Sequence, residues 1–277
     1  MAHTFSLAFL TVGNISPIET IKIASRLGYT SVGLRMLPAA PTEAAYPLLT
    51  DKQLLKDTVS ALEGYNIKVG DVEIVRLQDK TDVASFKPFI ENAHALAAKH
   101  VLVAADDFDR NRLCDNFLQF CELAGTANLT ADLEFMPWTA VKSIKEARAI
   151  IEKIKSPNAG ILIDALHFDR SDSTLEDIEN LPSSFLHYVQ LCDGPIPYKH
   201  DDAGLIAVAR GARLMPGSGN IGLVSLVKAI PEDLPISLEV PNLDILEKQG
   251  PEACARLAIE GAKRVLDQAG RGWSLRE

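Results

Sequence analysis

Short apolar runs recur along the chain, and a longer stretch with helical spacing follows each of them. The runs predict strands over Phe5–Leu10, Ser31–Met36, Lys68–Val75, His100–Ala104, Ala131–Phe135, Ala159–Ile163, Leu186–Leu191 and Ile236–Val240. Most are dense in Val, Ile and Leu rather than strictly alternating, as expected of parallel strands covered on both faces. The stretches between them predict helices over Pro17–Leu27, Lys52–Tyr65, Phe86–Lys99, Arg110–Ala127, Ser143–Lys155, Thr174–Asn180, Leu223–Ala229 and Gly250–Ala269. The segment from Phe86 shows the period well: Phe89, Ile90, Ala93 and Ala97 share one side, with Lys99 near the end. Eight strands, each followed by a helix, predict a closed (β/α)8 TIM barrel.

An open, doubly wound sheet is the alternative, and two observations oppose it. No GxGxxG turn follows the first strand, where a dinucleotide-binding open sheet would carry one. Polar residues also crowd at the C-terminal ends of strands from the whole chain, which suits a ring. There is no internal repeat, low-complexity segment or long linker, so residues 1–277 read as one domain. The longest irregular stretch, Cys192–Ile221, is rich in Pro and Gly and is expected to be an active-site loop.

Composition narrows the partners. The chain is 47% hydrophobic and 23% charged, as in ordinary globular proteins. A formal charge of −9 opposes nucleic acid or an anionic membrane as the main partner, though not a small anionic substrate. The cysteines Cys114, Cys121, Cys192 and Cys254 form no CxxC pair, which fits reduced thiols in the cytoplasm. The start lacks a basic region ahead of its short apolar run, so no signal peptide is expected, and no window is apolar enough for a membrane span.

The candidate chemistry lies where the last four predicted strands end, in ADLEFMPW, GILIDALHF, HYVQLCDG and ISLEVPN. Each apolar run is interrupted by an oxygen-bearing side chain: Glu134, Asp164, Gln190 and Glu239. An acid at a strand end is often only the N-cap of the next helix. Four interruptions in successive strands point instead to one site, because barrel strand ends converge on one face. Three carboxylates and an amide make a hard donor set, suited to Mg²⁺ or Mn²⁺, with Co²⁺ or Zn²⁺ as further candidates. His167, just past Asp164, is a candidate acid/base, with a packed core histidine as the bland reading. His94 and His100 read as structural, and His187 opens its strand at the wrong end of the barrel.

Arg35, Glu73, Trp138 and Arg213 are candidate substrate-binding residues. Arg35 ends the second strand; Glu73 and Arg76 end the third and could pair with each other or with Arg35. Trp138 could wall the pocket. In RLMPGSGNI, Gly217 and Gly219 suit a tight turn with Arg213 pointing inward, and the missing GK[ST] ending excludes a P-loop. Asp193 reads as a residue that shapes the loop after strand seven. No GxSxG, HExxH or Walker A motif occurs, and Cys192 lacks an evident His partner.

In series, LEFMPW, NAGILIDALHFDRS, HYVQLCDG, RLMPGSGNI and SLEVPN resemble the xylose isomerase-like TIM-barrel superfamily of sugar phosphate isomerases and epimerases. The resemblance implies metal ligation by Glu134, Asp164, Gln190 and Glu239, with His167 beside the substrate. Many members carry His where this chain has Gln190. Gln at that position is similar to hydroxypyruvate isomerases and 3-dehydroshikimate dehydratases, the latter also in the spacing of Glu134 and Trp138. The AP endonucleases of the superfamily use a His-rich trinuclear zinc site, unlike this chain with its six His residues.

The resulting expectation is metal-assisted proton abstraction next to the carbonyl of a small polyhydroxylated substrate, through an enediolate, with Glu134 and Glu239 exchanging protons. Isomerase or epimerase is the leading reading. A dehydratase with His167 as acid is the alternative, and a non-catalytic sugar-binding barrel the third. Barrels of this kind often form homodimers.

Overall fold

A computed structural model describes residues 2–276. Eight strands form its wall: β1 (Phe5–Leu7), β2 (Ser31–Arg35), β3 (Lys68–Leu77), β4 (His100–Ala105), β5 (Thr130–Glu134), β6 (Ala159–Asp164), β7 (Val189–Leu191) and β8 (Ile236–Leu238). They close in sequence order, and every neighbouring pair is parallel, including β1 with β8. The single-domain (β/α)8 barrel read from the sequence is the observed fold.

The helices begin and end where local chemistry dictates. Ser16, Asp51, Asp109 and Ser143 each cap a helix by accepting backbone N–H bonds with the side chain. The Pro17–Leu27 and Pro251–Ala269 helices end at Gly28 and Gly270, both with positive φ. Several regions depart from expectation, among them a further helix over Leu243–Gln249 and a seventh strand that starts only at Val189. The first strand stops at Leu7, because a short helix over Phe9–Val12 starts at once. The helix expected over Phe86–Lys99 is confined to Lys87–Ala95, behind a 3₁₀ turn over Val83–Phe86. Within Cys192–Ile221 a further helix runs over Asp202–Gly211, capped by Asp201. Its small, evenly apolar residues between Pro- and Gly-rich flanks hide the helical period.

The strands are buried on both faces, as read from the sequence, but the two faces differ in character. Phe5, Leu7, Val32, Leu34, Val72, Val101, Val103, Leu133, Ile161, Ile163, Val189, Leu191, Ile236 and Leu238 all belong to the main core between strands and helices. The intervening positions face the barrel interior, and many are polar: Ser6, Arg35, Asp71, Glu73, Asp132, Glu134, Asp164, Gln190, Ser237 and Glu239 are all buried. A small apolar cluster of Ile74, Leu102, Ala104, Met136, Leu162 and Tyr188 fills the waist. Polar residues line both mouths. No helix among the described residues is long and apolar enough to cross a membrane.

Candidate active site

Glu134 and Asp164 end β5 and β6, Gln190 lies within β7, and Glu239 directly follows β8. The barrel brings them to one mouth, and each is at least 95% buried. Asp164 does two things at once. Its Oδ1 accepts from the backbone N–H groups of Leu166 (2.8 Å) and His167 (3.0 Å), capping the short Ala165–Asp169 helix. Its Oδ2 takes the Arg213 guanidinium, so the cap uses only one of its two oxygens. The cap also fixes His167, whose Nε2 lies 3.6 Å from Glu134 Oε1. One donor atom each from Glu134, Asp164 and His167 lies within 4.8 Å of the other two. Trp138 meets the His167 ring edge-on at 5.0 Å and lines the pocket while also packing against the core.

Arg213 is more central than its sequence context suggests. Its guanidinium pairs with Asp164 Oδ2 and, at 2.9 Å, with Glu239 Oε2, while its Nε donates to the Ala209 carbonyl at 2.9 Å. It therefore bridges two of the expected metal ligands, and Glu239 is not part of the trio just described. The loop that delivers Arg213 is organised by Asp193. Asp193 accepts four backbone N–H bonds, from Gly194, Gly217, Gly219 and Ile221, at 2.8–3.1 Å. A Cβ on Gly219 would stand 2.4 Å from the Gly194 carbonyl oxygen, so this turn requires glycine.

Arg35 pairs with Glu73 (3.4 Å) and Glu43 (3.2 Å), whereas Arg76 takes Asp106 through two bonds of 2.6 and 2.7 Å. Glu43 also holds Arg210 at 2.8 Å and so ties the loop after β2 to the Asp202–Gly211 helix across the mouth. Glu43 and Arg210 carry no recognisable motif; only the fold brings them together. These residues line a partly open pocket of about 50 Å³.

Burial sets the protonation states. It pushes the Glu134 carboxyl well above its ordinary range, and Asp164 and Glu239 add to the effect. It raises Glu239 to about 7 against the opposing pull of Arg213. Burial would raise Asp164 too, but Arg213, His167 and the capping N–H groups bring it below its usual value. The His167 imidazole is pushed down to about 4, mainly by burial, and is neutral near pH 7. Burial likewise raises the Cys192 thiol, in keeping with its exclusion as a nucleophile.

The donor set fits a divalent cation on two counts. Glu73, Glu134, Asp164 and Glu239 face only two buried guanidinium groups, Arg35 and Arg213, which leaves an excess of two negative charges when all are ionised. Both polar atoms of the Gln190 amide are also buried without a hydrogen-bond partner. A hard cation near Glu134, Asp164 and Gln190 would meet both demands.

Comparison with known proteins places the chain in a family. The model of the xylose isomerase-like TIM barrel matches residues 21–265. The chain belongs to that family. Its relatives include an inosose isomerase of Halalkalibacterium halodurans, 27% identical over 55% of this chain and 56% of that protein. Another is the inosose isomerase of Bacillus subtilis, 21% identical over 66% of each chain. These matches span about half to two thirds of the relatives' length. Among solved structures, the IolI protein with a bound zinc atom superposes with a TM-score of 0.79 at 17% identity, covering 96% of this chain and 99% of that one. D-Allulose 3-epimerase from Methylomonas sp. superposes with a TM-score of 0.69 at 16% identity, covering 96% and 100%. The named relatives are isomerases and an epimerase, and one of the solved structures holds a zinc atom.

Proposed function

We propose that the chain is a divalent-metal-dependent isomerase or epimerase of an uncharged polyhydroxy ketone or aldehyde. The observation that carries the substrate class is the pairing of every cation around the pocket. Arg35, Arg76, Arg210 and Arg213 are the basic residues that line it besides His167, and each is matched to a carboxylate. A phosphate dianion would have to displace a carboxylate from one of these arginines to gain a cationic partner. A neutral polyol chain would instead exchange hydrogen bonds with Glu73, Arg35 and His167. Inosose isomerase and D-allulose 3-epimerase, named among the relatives, support this choice.

Glu134, Asp164, Gln190 and Glu239 would hold the ion, Mn²⁺ or Mg²⁺ in preference to Co²⁺ or Zn²⁺. When bound, the ion supplies Lewis-acid polarisation of the substrate carbonyl and a neighbouring hydroxyl. Glu134 and Glu239 stand on β5 and just after β8, on different sides of the mouth, and exchange protons with the substrate carbon from either side. Reprotonation at the adjacent carbon isomerises; reprotonation of the same carbon from the other side epimerises. Neutral His167 orients a substrate oxygen beside Glu134, and Trp138 excludes water behind it. The dehydratase, with His167 as acid, is the second reading. The four buried, unpaired cysteines support a cytoplasmic setting.

The test is exchange of a substrate's α-proton with solvent deuterium by metal-loaded protein, screened over inososes and ketohexoses beside their phosphate esters. Exchange on the neutral compounds, lost in Glu134→Gln, supports the proposal. Activity confined to phosphate esters would overturn the substrate class, and formation of a conjugated product would favour the dehydratase.

A further inference from the structure

The mouth opposite the candidate active site carries a second cluster of titratable side chains. His100 starts β4, Asp132 faces inward from the middle of β5, and His187 stands just before β7. His187 Nδ1 lies 2.6 Å from Asp132 Oδ1, and His100 Nδ1 lies 3.8 Å from Asp132 Oδ2. One donor atom from each of the three lies within 4.8 Å of the other two. The imidazoles are nearly parallel, at 7° with centroids 5.9 Å apart; His187 turns Nδ1 to the carboxylate, while His100 Nδ1 is hydrogen-bonded to Thr130 Oγ1 at 2.8 Å, next to that carboxylate.

The surroundings hold this trio in place. Thr130 Oγ1 donates to Asp132 Oδ2 at 2.5 Å, and Tyr188 stacks on His100 at 5.0 Å. Gly160 on β6 leaves the necessary room: a Cβ there would stand 2.2 Å from Asp132 Oδ1 and 2.4 Å from His187 Nδ1. Beside His100 lies a cavity of about 320 Å³, lined also by Ser6, Asp71, Tyr188 and Ser237. Each of these four residues turns a buried side-chain oxygen without a hydrogen-bond partner toward this end of the barrel. The His100 and His187 side chains are 17% and 19% exposed, so the trio is reachable from outside.

We infer that His100, Asp132 and His187 form a second metal site, for a divalent ion of Zn²⁺ or Co²⁺ type, at the N-terminal mouth of the barrel. Two imidazoles and a carboxylate are a three-ligand set that leaves one tetrahedral position for water. With bonds of about 2.1 Å, tetrahedral ligand atoms sit roughly 3.4 Å apart, and the separations of 2.6 and 3.8 Å bracket that value. The nitrogen donors select Zn²⁺ or Co²⁺ over Mg²⁺, which suits the oxygen-rich set at the other mouth. Binding would release the proton now shared by His187 and Asp132. The open position would face the cavity and its unpartnered hydroxyl groups.

The test uses the full chain carrying Glu134→Gln and Glu239→Gln, stripped with a chelator and titrated with Co²⁺. It should take up one equivalent and develop the strong visible absorption of four-coordinate cobalt. Adding His100→Gln and His187→Gln should remove that uptake, with circular dichroism confirming the fold of both proteins. No uptake by the first variant, or uptake that survives the histidine changes, would reduce the trio to a buried ion pair. If the second variant does not fold, X-ray absorption of the Co²⁺-loaded first variant decides. Scattering from two imidazoles supports the site, and an oxygen-only shell overturns it.

Discussion

Replacing Arg213 by Met would remove the guanidinium from between Asp164 and Glu239 while keeping much of its volume. Arg213, Asp164 and Glu239 are at most 4% exposed, so the estimate for surface pairs does not apply. Removing one partner of a buried pair costs about 3–5 kcal/mol, because the other charges stay buried and uncompensated. At roughly 2–4 °C per kcal/mol for a chain near this size, the melting midpoint should fall by about 6–20 °C in chelator. A divalent ion would meet the same carboxylates. Adding Mn²⁺ should therefore raise the midpoint of Arg213→Met by more than that of the parent. Differential scanning calorimetry with chelator and with ion gives both numbers. A variant melting within about 2 °C of the parent in chelator would refute the energetic role of the bridge. Equal gains on adding the ion would refute the idea that guanidinium and metal share ligands.

Other consequences are as direct. Burial holds Glu239 near 7, and a ligand must lose its proton to bind metal, so Mn²⁺ affinity should climb as pH rises through about 7; a flat calorimetric profile would contradict this. In chelator the same group acts on stability in the opposite sense. Its folded value lies above the ordinary 4.5, so its contribution is complete below that pH and lost as pH rises through about 7. His167 is the mirror case, depressed from 6.5 to about 4: stability is complete above 6.5 and lost as pH falls through 4, by up to about 3 kcal/mol. His167→Gln should flatten that acid limb in urea titrations followed from pH 7 down to pH 4. Asp193→Ala would strip the acceptor from four backbone N–H groups and should cost about 3 kcal/mol or more, with faster proteolysis between Gly194 and Ile221. Unchanged cleavage would mean that the loop is held by other contacts.

The barrel was legible because its strands are short apolar runs at regular intervals, and their C-terminal ends named Glu134, Asp164, Gln190 and Glu239 directly. Less visible was the second set of inward positions. Asp71, Asp132, Tyr188 and Ser237 each stand two residues before Glu73, Glu134, Gln190 and Glu239, and counting back by the strand period would have found them. The fold also decided which acid each arginine takes. Arg76 could have met Glu73, but Asp106, just beyond β4, reaches it first and leaves Glu73 to Arg35. The Glu43–Arg210 clasp was hidden because a loop and a helix distant in sequence meet only once the ring closes.

The alternation along the strands has a consequence for how such a protein changes over time. Adjacent letters of one strand answer to different masters: Val189 and Leu191 keep the helices seated, while Gln190 between them answers to whatever is bound inside. A substitution at an inward letter can alter ligand preference and leave the scaffold's seams untouched. Leu102, Leu162 and Met136 pack in one apolar cluster inside the barrel, yet Asp71 at one mouth still feels the charges of Glu73 and Glu239 at the other. An inward substitution at either mouth is therefore felt across the barrel as a change of charge, even where the packing between strands and helices is left alone.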